Sequence, residues 1–340
     1  MNNSYHLLSA ASFLRWLVYP LVTVLCAFTI TVASTQTFAE TTYRTGLQAE
    51  RGRLAVSPDG KRLVFTTDRL AHGMRLLDTS SGKISLIPNP SGRDMGFPDW
   101  SPDGKRLVVV SAGIRNGRGD YDDMRISLLD LATGNEEMLI GGEGVKFDPF
   151  FSIDGKTIYY FKGKRRKEGK TPGSRYELFA IDVASKSERQ LTQEQYYSIS
   201  GGDDDGNSIF FGGDGGTTLS GLRNAIGSKA DGPMLLKFDK STNALTAIHA
   251  NRNDGLFDFF APKRDKAGHL YFIAAKTRRG GGDFQWYLAR STPDGSAIEI
   301  LTELPISMRF GITRNTGAIF VMDRDGIEII LRKLDVTAAY

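Results

Sequence analysis

The chain has 340 residues, of which 40% are hydrophobic, 24% charged and 10% aromatic, with a formal net charge of +4 and a single cysteine. These values lie in the ordinary globular range and exclude collagen, a wholly disordered chain, a polytopic membrane protein and a disulfide-stapled miniprotein. Glycine alone is in excess, at 38 residues against a usual share of roughly 7%, which points to a β-rich chain with many tight turns.

At the amino terminus, residues 16–33 form an uncharged apolar run behind Arg15. Thr37-Phe38-Ala39 then offers the small-x-small pattern of a cleavage site before Glu40. Residues 1–39 therefore read as a secretory signal peptide and 40–340 as the mature domain. An uncleaved anchor is the alternative, because a run of this length nearly spans a bilayer, but Pro20 and the polar residues closing the run weigh against it. Cys26 lies inside this segment and follows Leu25, not the small residue that lipidation needs. The mature chain thus has no cysteine, and so no disulfide, thiol nucleophile or cysteine-ligated metal. Loss of Arg15 leaves 42 basic against 39 acidic residues, a net charge of +3. Export sets a periplasmic or secreted location and removes nucleic acid from the expected partners.

Beyond residue 50 one unit repeats. Ser57-Pro58-Asp59-Gly60-Lys61-Arg62-Leu63-Val64 recurs as Ser101 to Val108, and a third copy begins Ser152-Ile153-Asp154-Gly155-Lys156. Weaker copies stand at Asp205-Gly206, Ala267-Gly268 and Thr316-Gly317. Each precedes a short apolar, β-prone run, and Asp-Gly between such runs signals a hairpin with a primed turn. Downstream in each unit an apolar run ends in aspartate, with a turn former about four residues later: Asp78 with Gly82, Asp130 with Gly134, Asp182 with Lys186, Asp239 with Asn243. Ser291 with Gly295 continues the series in unit five, and Asp335 stands at the same place in unit six. Each unit therefore reads as four strands, A to D, with tight A–B and C–D turns. Six such units define an all-β, six-bladed β-propeller of four-stranded antiparallel blades.

From the first-turn glycine to the end of strand C the spacing varies from 18 to 33 residues, whereas from there to the next glycine it stays between 24 and 29. The variable length falls in the B–C loops, which share a face with the D–A links. Loops on a rigid scaffold are where function concentrates. Unit six ends too early to hold a strand D, and Tyr43-Arg44-Thr45-Gly46-Leu47 is placed to supply it and close the ring.

The Ser-Pro-Asp-Gly-Lys-Arg-Leu-Val motif, with Trp100 before Ser101 and prolines at Pro98, Pro149 and Pro262, resembles the WD-like repeat of TolB-type periplasmic propellers over about residues 50–336. The resemblance implies a propeller without the amino-terminal α/β domain of TolB, and a role in binding envelope proteins.

Catalytic signatures are sparse. Neither Gly-x-Ser-x-Gly nor His-Glu-x-x-His occurs. The mature histidines, His72, His249 and His269, are scattered and read as solvated turn residues. Three acidic clusters, 120–123, 203–206 and 323–326, invite calcium but read as hairpin turns, so neither a metal nor another cofactor is expected. Charge is more informative. Residues 162–176 carry +6, 276–284 carry +2 and 111–124 carry −1, so the B–C face concentrates about +7. Lys164, Arg165, Arg166, Lys167, Arg175, Arg278, Arg279 and Arg115 are the candidate binding residues for an envelope protein or an anionic envelope ligand. The glycine-rich insert 212–233 reads as a flap or an excursion, and Phe147, Phe150, Phe257 and Trp286 as blade-to-blade packing. The expected protein is a monomeric, non-enzymatic binding module. The competing expectation is a propeller lyase or hydrolase of acidic saccharides.

Overall fold

A computed structural model describes residues 39–48, 52–68, 73–89, 91–164, 175–214, 232–249, 255–277, 284–293, 297–304 and 309–335. Twenty-four strands form six four-stranded antiparallel sheets. Blade one holds β2 (Leu54–Val56), β3 (Arg62–Phe65), β4 (Arg75–Asp78) and β5 (Ile84–Leu86). Blade two holds β6 (Asp94–Trp100), β7 (Arg106–Arg115), β8 (Arg118–Asp130) and β9 (Glu136–Ile140). Blade three holds β10 (Val145–Phe151), β11 (Thr157–Lys164), β12 (Arg175–Asp182) and β13 (Glu188–Gln190). Blade four holds β14 (Ser198–Asp204), β15 (Ser208–Asp214), β16 (Met234–Asp239) and β17 (Leu245–His249). Blade five holds β18 (Leu256–Arg264), β19 (Leu270–Thr277), β20 (Phe284–Ser291) and β21 (Ile298–Leu304). Blade six holds β22 (Arg309–Ile312), β23 (Ile319–Asp325) and β24 (Glu328–Asp335), and its outer strand is β1 (Ala39–Gln48).

The inner strands meet in sequence order around the ring, and β22 meets β2 to complete it. Closure is made by the amino-terminal strand, as its sequence implied: β1 pairs antiparallel with β24 from Ala39↔Asp335 to Arg44↔Ile330. The Tyr43 hydroxyl donates to the Thr79 carbonyl of blade one at 2.9 Å, and Arg44 pairs with Glu328 at 2.9 Å.

Hydrophobic burial is divided among the blade interfaces, one apolar cluster at each. Between blades six and one, Leu63, Phe65, Phe320 and Leu331 are buried, with Tyr43 and Leu47 of β1 packed on them. Trp100, between blades one and two, donates its indole N–H to the Ala55 carbonyl at 3.2 Å. Strands B and C are covered on both faces by the neighbouring blades, so they read as near-continuous apolar runs such as Leu107–Val110, all fully buried.

The repeat motif explains itself in the A–B turn, with one correction. Gly60 N–H donates to the Ser57 carbonyl at 2.9 Å, so Pro58-Asp59 occupy the centre of the turn and only Gly60, at φ 71°, is left-handed. That is a turn with proline at its second position followed by a glycine bulge, not a primed Asp-Gly turn. The aspartate serves through its side chain: Asp59 Oδ1 accepts from Ser57 Oγ at 2.6 Å and from the Lys61 amide at 3.1 Å, while Ser57 Oγ accepts from the Arg62 amide. Asp103 and Asp154 repeat the arrangement.

Candidate functional site

The six inner strands enclose a channel of 1040 Å³. Four of them break their pairing with the second strand, between Gly96 and Asp99, Phe147 and Phe150, Ser200 and Gly202, and twice between Phe257 and Lys263. The cause is visible in three blades. Proline cannot donate to a ladder, so Pro98, Pro149 and Pro262 each sit at a bulge. The residue before each is left-handed: Phe97 at φ 53°, Asp148 at 46° and Ala261 at 50°. Such a conformation costs on the order of 1–3 kcal/mol for a non-glycine residue and persists only where the surroundings enforce it. In blade four, Gly201 stands at this place and the next residue, Gly202, allows close approach: a Cβ there would lie 2.2 Å from the Phe210 carbonyl oxygen.

Ion pairs that cross the ring occupy the A–B end of the channel. Lys263 Nζ in blade five donates to the Gly202 carbonyl at 3.0 Å and reaches Asp99 in blade two, on the opposite side, at 3.5 Å. Arg314 of blade six pairs with Asp203 of blade four and donates to the Asp204 carbonyl at 2.7 Å. Burial pushes the Asp203 carboxyl above its ordinary range, opposed by the positive charges of Arg314 and Lys263. Asp204 is held by Lys240 at 2.8 Å, and Asp205 by Arg264. The sequence reading of residues 203–206 as a turn is thus corrected: Asp203 and Asp204 are buried strand residues that tie blades together. The other acidic clusters are also engaged by cations. Asp120 and Asp122 pair with Arg115, Asp123 with Arg93, and Asp323 and Asp325 with Arg332 and Arg44. Among the described residues, no three histidine, aspartate, glutamate or cysteine side chains are grouped to hold a metal. His269 is likewise not a free turn residue, because its Nδ1 lies 2.9 Å from Asp265 Oδ2.

The opposite end, bearing the D–A links and B–C connections, has an aromatic rim. Phe97, Phe147, Tyr176 and Tyr197 line the channel there. Phe147 packs edge-on to Phe97 and to Tyr176, with ring centroids 5.2 and 5.8 Å apart. The Arg53 guanidinium lies 4.4 Å from the Phe97 ring centre, and Arg175 lies 4.5 Å from that of Tyr197. Phe147 therefore both packs and lines the channel. Among the described residues, the exposed large apolar side chains Ile114, Tyr197, Phe284 and Ile327 lie at the links and connections of this face, Leu86, Met138 and Ile300 lie on outer strands, and Ile153 lies at an A–B turn on the other face.

The predicted binding residues divide. Arg165, Arg166, Lys167, Arg278 and Arg279 lie outside the described residues, as do His72 and most of the 212–233 insert. Lys164 ends β11 opposite Arg175. Arg175 donates to Gln195 Oε1 at 3.0 Å besides stacking on Tyr197. Arg115 lies on the β-hairpin that makes the B–C connection of blade two, and pairs with Asp120 at 2.6 Å. That hairpin turns at Asn116-Gly117, both left-handed, the two-residue primed turn that extends β7 and β8 beyond the sheet. Lys162 also leaves the basic loop, being half-buried in β11 and paired with Glu188 at 2.8 Å. Asp148 went unnoticed in the sequence, although its place before Pro149, matching Phe97-Pro98, marked it.

No family model matches the sequence. An uncharacterized protein of Agrobacterium fabrum is 31% identical over 113 residues, which is 31% of this chain and 38% of that protein. The chain thus spans well under half of that relative. Among solved structures, TolB from Acinetobacter baumannii superposes with a TM-score of 0.57 at 15% identity, over 84% of this chain and 63% of that one. A putative TolB from Agrobacterium tumefaciens gives 0.57 and 15% over 88% and 99%. An oligogalacturonate lyase in complex with manganese gives 0.53 and 12% over 88% and 91%. At these identities the likeness is one of fold: the chain is a six-bladed propeller of the TolB-like architecture, which also carries lyase chemistry elsewhere.

Proposed function

We propose that this chain is an exported, non-catalytic propeller that docks an envelope protein or another anionic envelope partner on the face carrying its D–A links and B–C connections. The observation that carries the reading is that Ile114, Tyr197, Phe284 and Ile327 are exposed on that face, with Tyr197 also lining the aromatic mouth of the channel. Exposed apolar groups beside polar ones characterise interaction surfaces. The carboxylates at the far end are held in ion pairs, which favours a structural role for them over proton transfer. By sequence, Lys164, Arg165, Arg166, Lys167, Arg278 and Arg279 belong to the B–C segments of blades three and five and, with Arg175 and Arg115, supply the positive charge that draws an acidic partner in. No helix among the described residues is long and apolar enough to cross a membrane.

The test compares wild type with two variants, one with Lys164, Arg165, Arg166 and Lys167 all changed to glutamine, the other Tyr197→Ser with Ile327→Ser. Binding of envelope proteins and of polygalacturonate to the immobilised protein should fall about tenfold or more in at least one variant. Full retention in both overturns the reading. Turnover of oligogalacturonate by the purified wild type would instead establish the lyase class.

A further inference from the structure

Among the described residues, five aspartates line the channel: Asp99, Asp148, Asp203, Asp205 and Asp265. Four of them are engaged: Asp99 by the Phe151 amide and Lys263, Asp203 by Arg314, Asp205 by Arg264, and Asp265 by His269 and Tyr271. Asp148 is different. Among the described residues its carboxylate accepts no hydrogen bond and forms no ion pair. It is partly buried, at the bulge before Pro149, in the left-handed conformation that fixes its direction. Its counterpart in blade four is Gly201, and a methyl group there would lie 3.5 Å from Asp148 Cβ, so the absence of a side chain at 201 leaves the carboxylate uncovered on that flank.

The surroundings favour a cation at this place. Phe147, next to Asp148, joins Phe97 and Tyr176 in the aromatic rim, and two aromatic faces of that rim already hold guanidinium groups, Arg53 on Phe97 and Arg175 on Tyr197. The arginines that line the channel at this level, Arg53 and Arg309, belong to blades one and six, and blade six lies opposite blade three. On the inner strands, this level of the channel is therefore positive at Arg53 and Arg309 and negative at Asp148, with Arg175 over Tyr197 adding positive charge on the blade-three side of the rim. A partly buried, unpaired carboxylate on the channel wall gains from an incoming ammonium or guanidinium, because partial desolvation strengthens the pair.

We infer that Asp148 anchors a lysine or arginine side chain of a docked protein segment, inserted past the aromatic rim into the open end of the channel. The inference rests on the reading of this face as a docking surface, and adds that an otherwise acidic partner presents one basic residue to the channel.

The test titrates tetralysine amide into the full mature protein by calorimetry at low salt, comparing wild type with Asp148→Asn. Asparagine keeps the volume and tolerates the left-handed backbone, so the bulge is retained; thermal melts confirm the fold. The expected result is binding about tenfold weaker in the variant, the loss of one charge-assisted hydrogen bond. Carbodiimide coupling of the bound peptide should join a lysine to Asp148 in the wild type. Equal affinity in the two proteins, coupling only at other carboxylates, or complete displacement of tetralysine by about 1 mM calcium chloride, which would mark a metal site, overturns the inference. The glutamine variant of residues 164–167 separates the two proposals: it should lose polygalacturonate while keeping tetralysine.

Discussion

Asp78, Asp130, Asp182 and Asp239 end the third strand of blades one to four, and each Oδ1 accepts from backbone amides and a hydroxyl two or three residues on. The turn formers four residues beyond them, Gly82, Gly134, Lys186 and Asn243, are all left-handed. These hydrogen bonds favour the ionised carboxylate, so all four are more acidic than free aspartate. For Asp78 and Asp239 the bonds from Ser80 and Ser241 lead the effect and bring the carboxyl pKa down to about 2. A folded value below the unfolded one means stabilisation that is complete above the unfolded value of 3.8 and lost as the pH falls through about 2. Melting temperature should therefore drop across that window, and drop less in the Asp78→Ala, Asp239→Ala double variant. An identical pH profile in the two proteins would refute the assignment. The aspartate landmarks were legible in the sequence because this chemistry is local. Asp203 was not, because its partner Arg314 lies 111 residues away.

At the scale of elements, β1 shows how a short segment closes a ring. It satisfies the exposed edge of β24 over six successive residue pairs, and packs Tyr43 and Leu47 onto the cluster between blades six and one. An unpaired edge strand is both unstable and prone to association. Removing residues 39–48 should lower the melting temperature by roughly 10 °C, the equivalent of several kcal/mol for a chain of this size. A synthetic peptide of residues 39–48, added in excess, should restore part of the loss by strand addition. Calorimetry with and without the peptide checks both. The closing strand was readable because the four-strand spacing of each of blades one to five exposed the strand that the sixth unit lacks. The long hairpin β7–β8 was not read, because its Asn116-Gly117 turn lies outside the repeat.

Across the whole molecule, the channel couples blades that are distant in sequence. Arg314 joins blade six to blade four, and Lys263 joins blade five to blade two. Arg314→Ala would leave Asp203 buried with its main counter-charge gone, a change that typically costs about 3 kcal/mol or more. Urea unfolding should show that loss as a lowered midpoint with an unchanged slope, since the blades still bury the same surface. A midpoint equal to wild type would mean that Lys263 and the backbone amides suffice for Asp203.

By itself the sequence determined the blade count, the four-strand unit and the positions of its turns, because each follows from apolar periodicity and turn chemistry acting within about fifty residues, and it marked the closing strand through the strand that unit six lacks. Only the tertiary structure decided what the channel is. Closing the ring brings six inner strands with six different sequences into register around one axis. Residues a hundred or more positions apart then meet or fail to meet there, which is how Asp203 gains an arginine and Asp148, among the described residues, is left unpaired on the channel wall.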